Sequence, residues 1–412
     1  FILRIEDTDQ TRHVEDAEAK QMEGLSWLGI KWDEGVAAGG DYGPYRQSER
    51  LAIYAEYLQQ LQEQGAAYEC FCTEEELAEE RAAQEARGET PMYSGKCRNL
   101  TSQEKEKLRA DGRKPTLRFL VPKEQIVVHE DLVRGRVEFE TNGIGDFIIA
   151  RPDGIPMYNF ACVIDDYTMK ISHVIRGEEH LSNTPRQLLL YEAFGWDKPQ
   201  FAHISLILNP DRKKMSKRDE SIIQFVEQYK ELGYLPEAVV NFIALLGWSP
   251  KGEEELFTLA ELEQEFDLKR IQKSPAIFDT EKLAWMNNTY MKQADSERIT
   301  ELSLPHLQRA GRLPQELDEA QRTYVKELVQ LYQDRMRAAS DIVGLTELFF
   351  REEVKYEAEA AEITQESHVK EVAHAFLAQV RNADDFSAES IGPLIKNVQK
   401  ETGYKGKQLF MP

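Results

Sequence analysis

The sequence predicts an α/β core that is interrupted by an insertion of mixed α+β structure and followed by an all-helical region. Three observations carry this prediction. Apolar strands alternate with amphipathic helices in residues 1–64 and again in 155–209, short strands and charged helices fill 70–151, and nearly every segment beyond 220 has helical period. At 412 residues the chain is long enough for about two to four domains.

Residues 1–6 read as a buried strand and 12–28 as a helix with Val14, Ala17, Met22, Leu25 and Leu28 on its apolar face. A second helix, 46–64, carries Leu51, Tyr54, Leu58 and Leu61 on one side and stops at Gly65. Within 70–151, Thr73-Glu74-Glu75-Glu76 is a capping box that opens a charged helix, and Leu117, Phe119 and Val121 alternate as in a half-buried strand. Further short strands are predicted near 125–129, 136–140 and 146–150. The return to α/β consists of an apolar strand 169–175, a helix 182–194 and a strand 202–208. Helices 236–246, 258–266 and 280–291 follow, with Gly or Pro between them, and an all-helical domain is expected from about 290 onward. Residues 1–5 already form a strand with no leader before them, so the chain is expected to begin inside a domain. The apolar Leu409-Phe410-Met411-Pro412 predicts a cut end there too.

Composition narrows the function. Hydrophobic residues make up 41%, and no apolar run is long enough to span a bilayer, which excludes a helical membrane protein. Lys and Arg number 51 against 73 Asp and Glu, a net charge of −22, so a nucleic-acid partner requires a local basic stripe on an acidic protein. The four cysteines, Cys70, Cys72, Cys97 and Cys162, are too few for a disulfide scaffold and point to the cytosol. GxxxxGK[ST] is absent, which excludes a P-loop enzyme, and His13, His129, His173, His180 and His203 are too scattered for a metalloprotease or a serine-type triad. Structural roles are the simpler reading for these histidines, with His203 placed to approach a nucleotide.

The most informative stretch runs from Asn209 through Pro210, Asp211, Arg212, Lys213, Lys214, Met215, Ser216 and Lys217 to Arg218. Asn-Pro-Asp is a turn signal after a strand, and five cations packed in the following loop repel one another unless a polyphosphate neutralises them. A plain basic surface loop is the alternative. Arg4, Glu6, Asp7 and Asp9 follow a strand end, where open α/β sheets place ligand groups; one arginine with three acids fits an ammonium group or a salt-bridged helix start equally well. Arg176, at a strand end before Gly177, suits a bidentate grip on a carboxylate. A pair with Glu178 or Glu179 is the alternative.

Lys214-Met215-Ser216-Lys217-Arg218 resembles the KMSKS signature of class I aminoacyl-tRNA synthetases, in the form typical of bacterial-type glutamyl-tRNA synthetases. Arg4-Ile5-Glu6-Asp7-Thr8-Asp9 is similar to that branch's RIEDTD motif, and Val174-Ile175-Arg176-Gly177-Glu178-Glu179-His180 to its VIRGEDH motif. Gly43-Pro44-Tyr45-Arg46-Gln47-Ser48 and Leu245-Leu246-Gly247-Trp248-Ser249-Pro250 also look like family text. The resemblance covers essentially the whole chain in order. It implies a Rossmann-like catalytic domain in two parts, 1–69 and 152–212, split by an acceptor-end-binding insertion at 70–151. A KMSKR loop and stem-contact helical domain at 213–290 and a helical anticodon-binding domain at 291–412 would follow.

What the resemblance implies about function is specific. Glutamate is activated with ATP and Mg²⁺ and esterified to the 3′ end of tRNA(Glu), with tRNA(Gln) a second candidate acceptor, by a cytoplasmic monomer. Lys214 and Lys217 are the implied catalytic cations, with Lys217, Ser216, Met215, Glu179 and His203 facing ATP. Arg4, Glu6, Tyr158 and Arg176 hold glutamate, Glu6 through the ammonium and Arg176 through the side-chain carboxylate, and Arg12 touches the tRNA acceptor end. The position of Cys162 often holds Asn in relatives, so its role there is open. The family's HIGH-type signature lies upstream of RIEDTD, and nothing precedes Phe1, so this stretch alone is expected to be inactive.

Cys70, Cys72 and Cys97, with Tyr93 as a fourth donor, offer a structural Zn²⁺ site; Asn99 is a poor ligand, and unliganded cysteines packed in a small module are the alternative. A glutamyl-queuosine tRNA synthetase shares the core and this cysteine pattern, but the helical 290–412 speaks against it. A glutaminyl enzyme would carry a β-barrel there. A noncatalytic tRNA-binding module is opposed by the intact KMSKR and RIEDTD residues.

Overall fold

The computed structural model describes residues 1–8, 16–215, 223, 225–351, 358–383 and 388–410. They fall into two compact units, Phe1–Ile342 and Val343–Pro412. In the first, β1 (Ile2–Leu3), α1 (Ala17–Trp27) and β2 (Glu34–Gly35) open the chain, with β1 parallel to β2. α2 (Leu51–Glu63) turns Tyr54, Leu58 and Leu61 inward, as a 3.6-residue repeat requires. β3 (Ala67–Cys70) precedes α3 (Glu74–Ala86), and the capping box forms: Thr73 Oγ1 accepts from the Glu76 amide while Glu76 Oε2 accepts from that of Thr73.

After α4 (Ser102–Ala110) come β4 (Thr116–Phe119), the hairpin β5 (Ile126–Asp131) and β6 (Gly135–Glu140), and β7 (Phe147–Ala150). Then α5 (Tyr158–Thr168) leads into a parallel unit, β8 (His173–Gly177), α6 (Thr184–Phe194) and β9 (Gln200–Ile204). α6 has proline in its first turn and Gly195 at φ 69° past its end, the asymmetry expected of a well-delimited helix.

The strands of 70–151 divide between two sheets. β4 lies between β3 and β7, antiparallel to both, and this sheet gives Ala67, Leu117, Phe119 and Ile149 to the core built by α2, α5 and α6. The hairpin instead joins the parallel unit, because Asp131 bridges Phe201 and sets the order β6-β5-β9-β8. β4 is not half-buried, since Arg118 is 5% exposed as well, over the Tyr93 ring at 3.9 Å and donating to the Asp146 carbonyl.

An apolar strand over 169–175 does not form. The chain is helical to Thr168, Lys170 takes φ 58°, and β8 starts only at His173. Met169 is buried, but Lys170, Ser172 and His173 are exposed, so the stretch turns between helix and strand and has no buried face to pair. Downstream, β10 (Ile207–Leu208) pairs in parallel with β11 (Ala276–Ile277), and α7 (Val226–Glu231), α8 (Pro236–Ala244) and α9 (Leu259–Glu265) lie between them in sequence. α10 (Thr280–Gln293), α11 (Ser296–Arg309) and α12 (Glu319–Tyr332) follow. Val239, Phe242, Phe278, Leu283 and Met286 form the core here. In the second unit, helices Ser367–Arg381 and Ala388–Thr402 pack through Val372, Ala375 and Val398. Among the described residues no helix is long and apolar enough to cross a membrane.

Candidate active site

Two strand ends and one helix face converge on a cavity of about 660 Å³. Arg4 and Glu6 follow β1, Arg176 ends β8, and Tyr158, Cys162 and Asp166 project from α5 at i, i+4 and i+8, a single stripe of the helix. Ligand groups collect beyond the carboxyl ends of parallel strands because the chain there leaves the ladder with its side chains free. All four residues expected to hold an amino acid line this one space.

Arg4 is fastened from three sides. Its Nη1 donates to Asp166 at 2.9 Å, its Nη2 to Glu6 at 3.1 Å, and its Nε lies 3.6 Å from Asp165. Burial works against the Arg4 charge, but Asp166, Asp165 and Glu6 outweigh it and hold the guanidinium above its ordinary range. Burial lifts Asp166 above the usual carboxylate range, an effect that Arg4 opposes. Burial, reinforced by the Glu6 charge, also pushes the Cys162 thiol up, so it stays a neutral S–H and donates to Glu6 Oε1 at 3.6 Å. Glu6, which lines the cavity, is therefore oriented by two donors on Oε1.

The other acids of the motif do different work. Asp7 accepts from the Ser48 amide at 2.8 Å and from its hydroxyl, so it ties the first strand end to the Gly43–Ser48 stretch instead of facing a ligand. Ile5 adds two backbone bonds, to the Tyr45 carbonyl and from the Gln47 amide. Asp9 and Arg12 lie outside the described residues.

Arg176 does not pair with its acidic neighbours. Its Nε donates to His203 Nε2 at 3.2 Å and its Nη2 to Thr184 Oγ1 at 2.7 Å. Neither contact uses Nη1, which leaves the end of the guanidinium for a carboxylate. Glu178 pairs with Arg134 at 2.5 Å, and the Glu179 side chain folds over Gly177 so closely that a Cβ there would stand 2.1 Å from its Oε2. His203 is wholly buried, with Asp131 on one ring nitrogen and Arg176 and Thr184 on the other, so its ring reaches Arg176 and offers no face to a nucleotide.

The basic loop begins as a built turn. Asn209 exchanges backbone bonds with Lys213 at 2.8 Å and Arg212 at 2.9 Å, its Oδ1 accepts from the Lys213 amide, and Arg212 takes φ 61°. Lys214 bridges back to Leu208, and the side chains of Lys213 and Lys214 are exposed. Met215 packs on the core of Val239 and Phe242. Ser216, Lys217 and Arg218 lie outside the described residues.

The cysteine module closes on itself. The Sγ atoms of Cys70, Cys72 and Cys97 lie within 4.8 Å of one another, and those of Cys72 and Cys97 are 3.6 Å apart. The Tyr93 hydroxyl stands 3.5 Å from Cys70 Sγ and 3.8 Å from that of Cys72. Ligands of a tetrahedral zinc with Zn–S of about 2.3 Å stand about 3.8 Å apart, so these four donors fit the ion. Asn99 is exposed.

Sequence reasoning gave no site role to five residues of this region, Asp166 among them. Asp165 and Arg50 form the buried pair beneath Arg4, at 2.7 Å. His180 Nδ1 meets the Tyr158 hydroxyl at 3.4 Å. Tyr191 carries a buried hydroxyl without a hydrogen-bond partner among the described residues, close enough to Asp166 and Arg4 to feel their charges. The helical stripe running from Tyr158 and Cys162 to Asp166 was a usable signal for Asp166; a buried hub such as Asp165 has none in a single sequence.

Residues 1–285 match the family described as tRNA synthetases class I (E and Q), catalytic domain, and 298–412 match an anticodon binding domain. The glutamate–tRNA ligases of Halalkalibacterium halodurans and Bacillus subtilis are 59% and 55% identical over 412 residues, which is 100% of this chain and 85% of each relative. A crystal structure of a glutamate tRNA ligase from Elizabethkingia meningosepticum, in complex with its amino acid, is 36% identical with a TM-score of 0.89, over 100% of this chain and 85% of that one.

Proposed function

The chain belongs to the class I tRNA synthetases and, within them, to the glutamate–tRNA ligases, and on that premise we propose that the cavity between Arg4 and Arg176 holds glutamate for its reaction with ATP. The observation that carries this reading is the convergence of Arg4, Glu6, Tyr158 and Arg176 on one cavity from distant parts of the sequence. Glu6 Oε2 takes the substrate ammonium, and the Nη1 end of Arg176 takes the side-chain carboxylate. This division leaves the α-carboxylate facing the nucleotide.

Class I tRNA synthetases use ATP with Mg²⁺, which neutralises phosphate charge. In the first step an α-carboxylate oxygen bonds to the α-phosphorus while the bond to pyrophosphate breaks. The terminal ribose 2′-hydroxyl of tRNA then attacks the anhydride carbon, and AMP leaves. No side chain need act as nucleophile, so catalysis is positioning plus stabilisation of charge that moves onto the leaving phosphates. Lys214 and Lys217 supply that stabilisation, a role supported by the resemblance of their loop and by the anchored turn that presents Lys214. In the intact enzyme, Lys217→Ala is expected to slow ATP–pyrophosphate exchange about a hundredfold while tRNA affinity stays within about twofold. Equal losses in both would contradict the assignment.

Cys70, Cys72, Cys97 and Tyr93 would hold a structural Zn²⁺, whose chemistry is to fix the fold of the module that meets the tRNA acceptor end. Metal analysis of the purified protein is expected to find about one zinc per chain, lost in Cys97→Ala; a metal-free native protein would refute the site. Charging of purified tRNA(Glu) and tRNA(Gln) side by side distinguishes an enzyme that discriminates between them from one that accepts both.

A further inference from the structure

We propose that Asp131 and His203, neither of which touches substrate, set the direction of Arg176 through a chain of hydrogen bonds; this rests on the reading of Arg176 as the group that binds the glutamate carboxylate. The strands make the chain possible. Arg176 and His203 are register partners on β8 and β9, and the bridge from Asp131 to Phe201 brings the end of β5 alongside. Asp131, His203 and Thr184 are each 3% exposed or less.

The direction of every hydrogen bond follows from Asp131. Its Oδ1 accepts from the amides of Val133, Arg134 and His203 at 2.8–3.2 Å, which fixes the carboxylate and leaves Oδ2 for His203 Nδ1 at 2.6 Å. Burial opposes the Asp131 charge, but the His129 ring 3.8 Å away and the hydrogen bonds from the His203 ring and from the amides of Arg134 and His203 outweigh it and keep the group ionised. An ionised carboxylate only accepts, so Nδ1 donates to it, and because the Arg176 Nε–H can only donate, Nε2 is the acceptor and presents a lone pair. Onto that lone pair fall Arg176 Nε–H at 3.2 Å and the Thr184 hydroxyl at 2.9 Å, and the hydroxyl oxygen in turn accepts from Arg176 Nη2.

The arrangement solves an electrostatic problem. A carboxylate in the place of His203 would also orient the guanidinium, but it would neutralise the charge that glutamate must meet. A neutral imidazole holds the N–H and leaves the positive charge available, with the compensating anion one ring farther away. Asp131, His129 and His203 also resemble a metal-binding trio. Two ligands of one tetrahedral ion at about 2.0–2.1 Å stand about 3.3 Å apart, whereas Asp131 and His203 meet at the 2.6 Å of a charge-assisted hydrogen bond.

The test is ATP–pyrophosphate exchange on the intact enzyme, with KM measured separately for glutamate and ATP. His203→Phe keeps the ring volume and removes the acceptor; it is expected to raise the glutamate KM about tenfold to a hundredfold, with kcat and the ATP KM within about threefold. His203→Gln, whose amide oxygen can accept from Arg176, is expected to recover part of that loss. In an Arg176→Ala background, His203→Phe should add nothing further, because its effect passes through Arg176. If His203→Phe does not fold, Thr184→Val removes the neighbouring acceptor and gives the same readout. A glutamate KM that His203→Phe and Thr184→Val leave unchanged, while Arg176→Ala raises it, overturns the relay and keeps the role of Arg176. An Arg176→Ala enzyme with unchanged glutamate KM overturns both. Parallel changes in both KM values and kcat together with a lowered Tm reduce His203 to a structural residue and overturn the relay as well.

Discussion

Replacing Arg176 with alanine is expected to lower kcat/KM for glutamate by about two to three orders of magnitude, with the ATP KM nearly unchanged. The magnitude follows from what is lost. Truncating one partner of a desolvated charge pair costs about 2–5 kcal/mol, and each 1.4 kcal/mol is a factor of ten. The lower half of that range applies if water enters the gap, the upper half if the substrate carboxylate is left in the cavity without a partner. Arg176→Lys should recover little. A lysine carries the charge, but it cannot satisfy His203 and Thr184 with one edge and a carboxylate with the other, as a planar guanidinium does. ATP–pyrophosphate exchange across glutamate and ATP concentrations separates the two substrates. An equal rise in both KM values would mean that Arg176 supports the fold and does not read the amino acid.

Arg176, Arg4 and Glu6 were legible in the sequence because motifs and strand ends mark them, and Tyr158 was named from the family resemblance alone. The elements that support them were not. Asp165 and Asp166 are neighbours in sequence and both reach Arg4, yet Asp166 lines the cavity while Asp165 is wholly buried against Arg50. One residue of helix is a turn of about 100°, so adjacency in sequence says little about shared surroundings. The helix itself was missed, since Phe160, Ala161, Cys162, Val163 and Ile164 make an unbroken buried apolar run that reads as strand or helix alike. The hairpin of β5 and β6 was legible as two strands, but its pairing with β9 was not; partner choice is a long-range property that local pattern does not encode. Asp7 shows the converse: its place in an acidic motif pointed to a ligand, whereas Ser48 occupies it.

The hub under Arg4 carries the largest stability effect. Asp165 accepts from Arg50 Nε at 2.7 Å, from Gln47 Nε2 at 2.9 Å and from the Tyr54 hydroxyl at 2.9 Å, and Arg4 Nε stands 3.6 Å away. Arg50 is 1% exposed, Gln47 2% and Tyr54 0%. Asp165→Ala would leave the Arg50 charge buried with carbonyl oxygens and Thr168 as its remaining partners. Breaking a buried pair in this way costs about 3–5 kcal/mol, a large share of the roughly 5–15 kcal/mol that holds a domain folded. The expected result is a Tm lower by roughly 5–15 °C and a glutamate KM raised as Arg4 loses its footing. Removing both charges, as in Arg50→Met with Asp165→Leu, should be less damaging than Asp165→Ala alone, because no ion is then stranded. Thermal unfolding of the two variants decides the matter: an Asp165→Ala protein as stable as the parent, or a double variant worse than the single, would show that the pair does not brace Arg4 against the core.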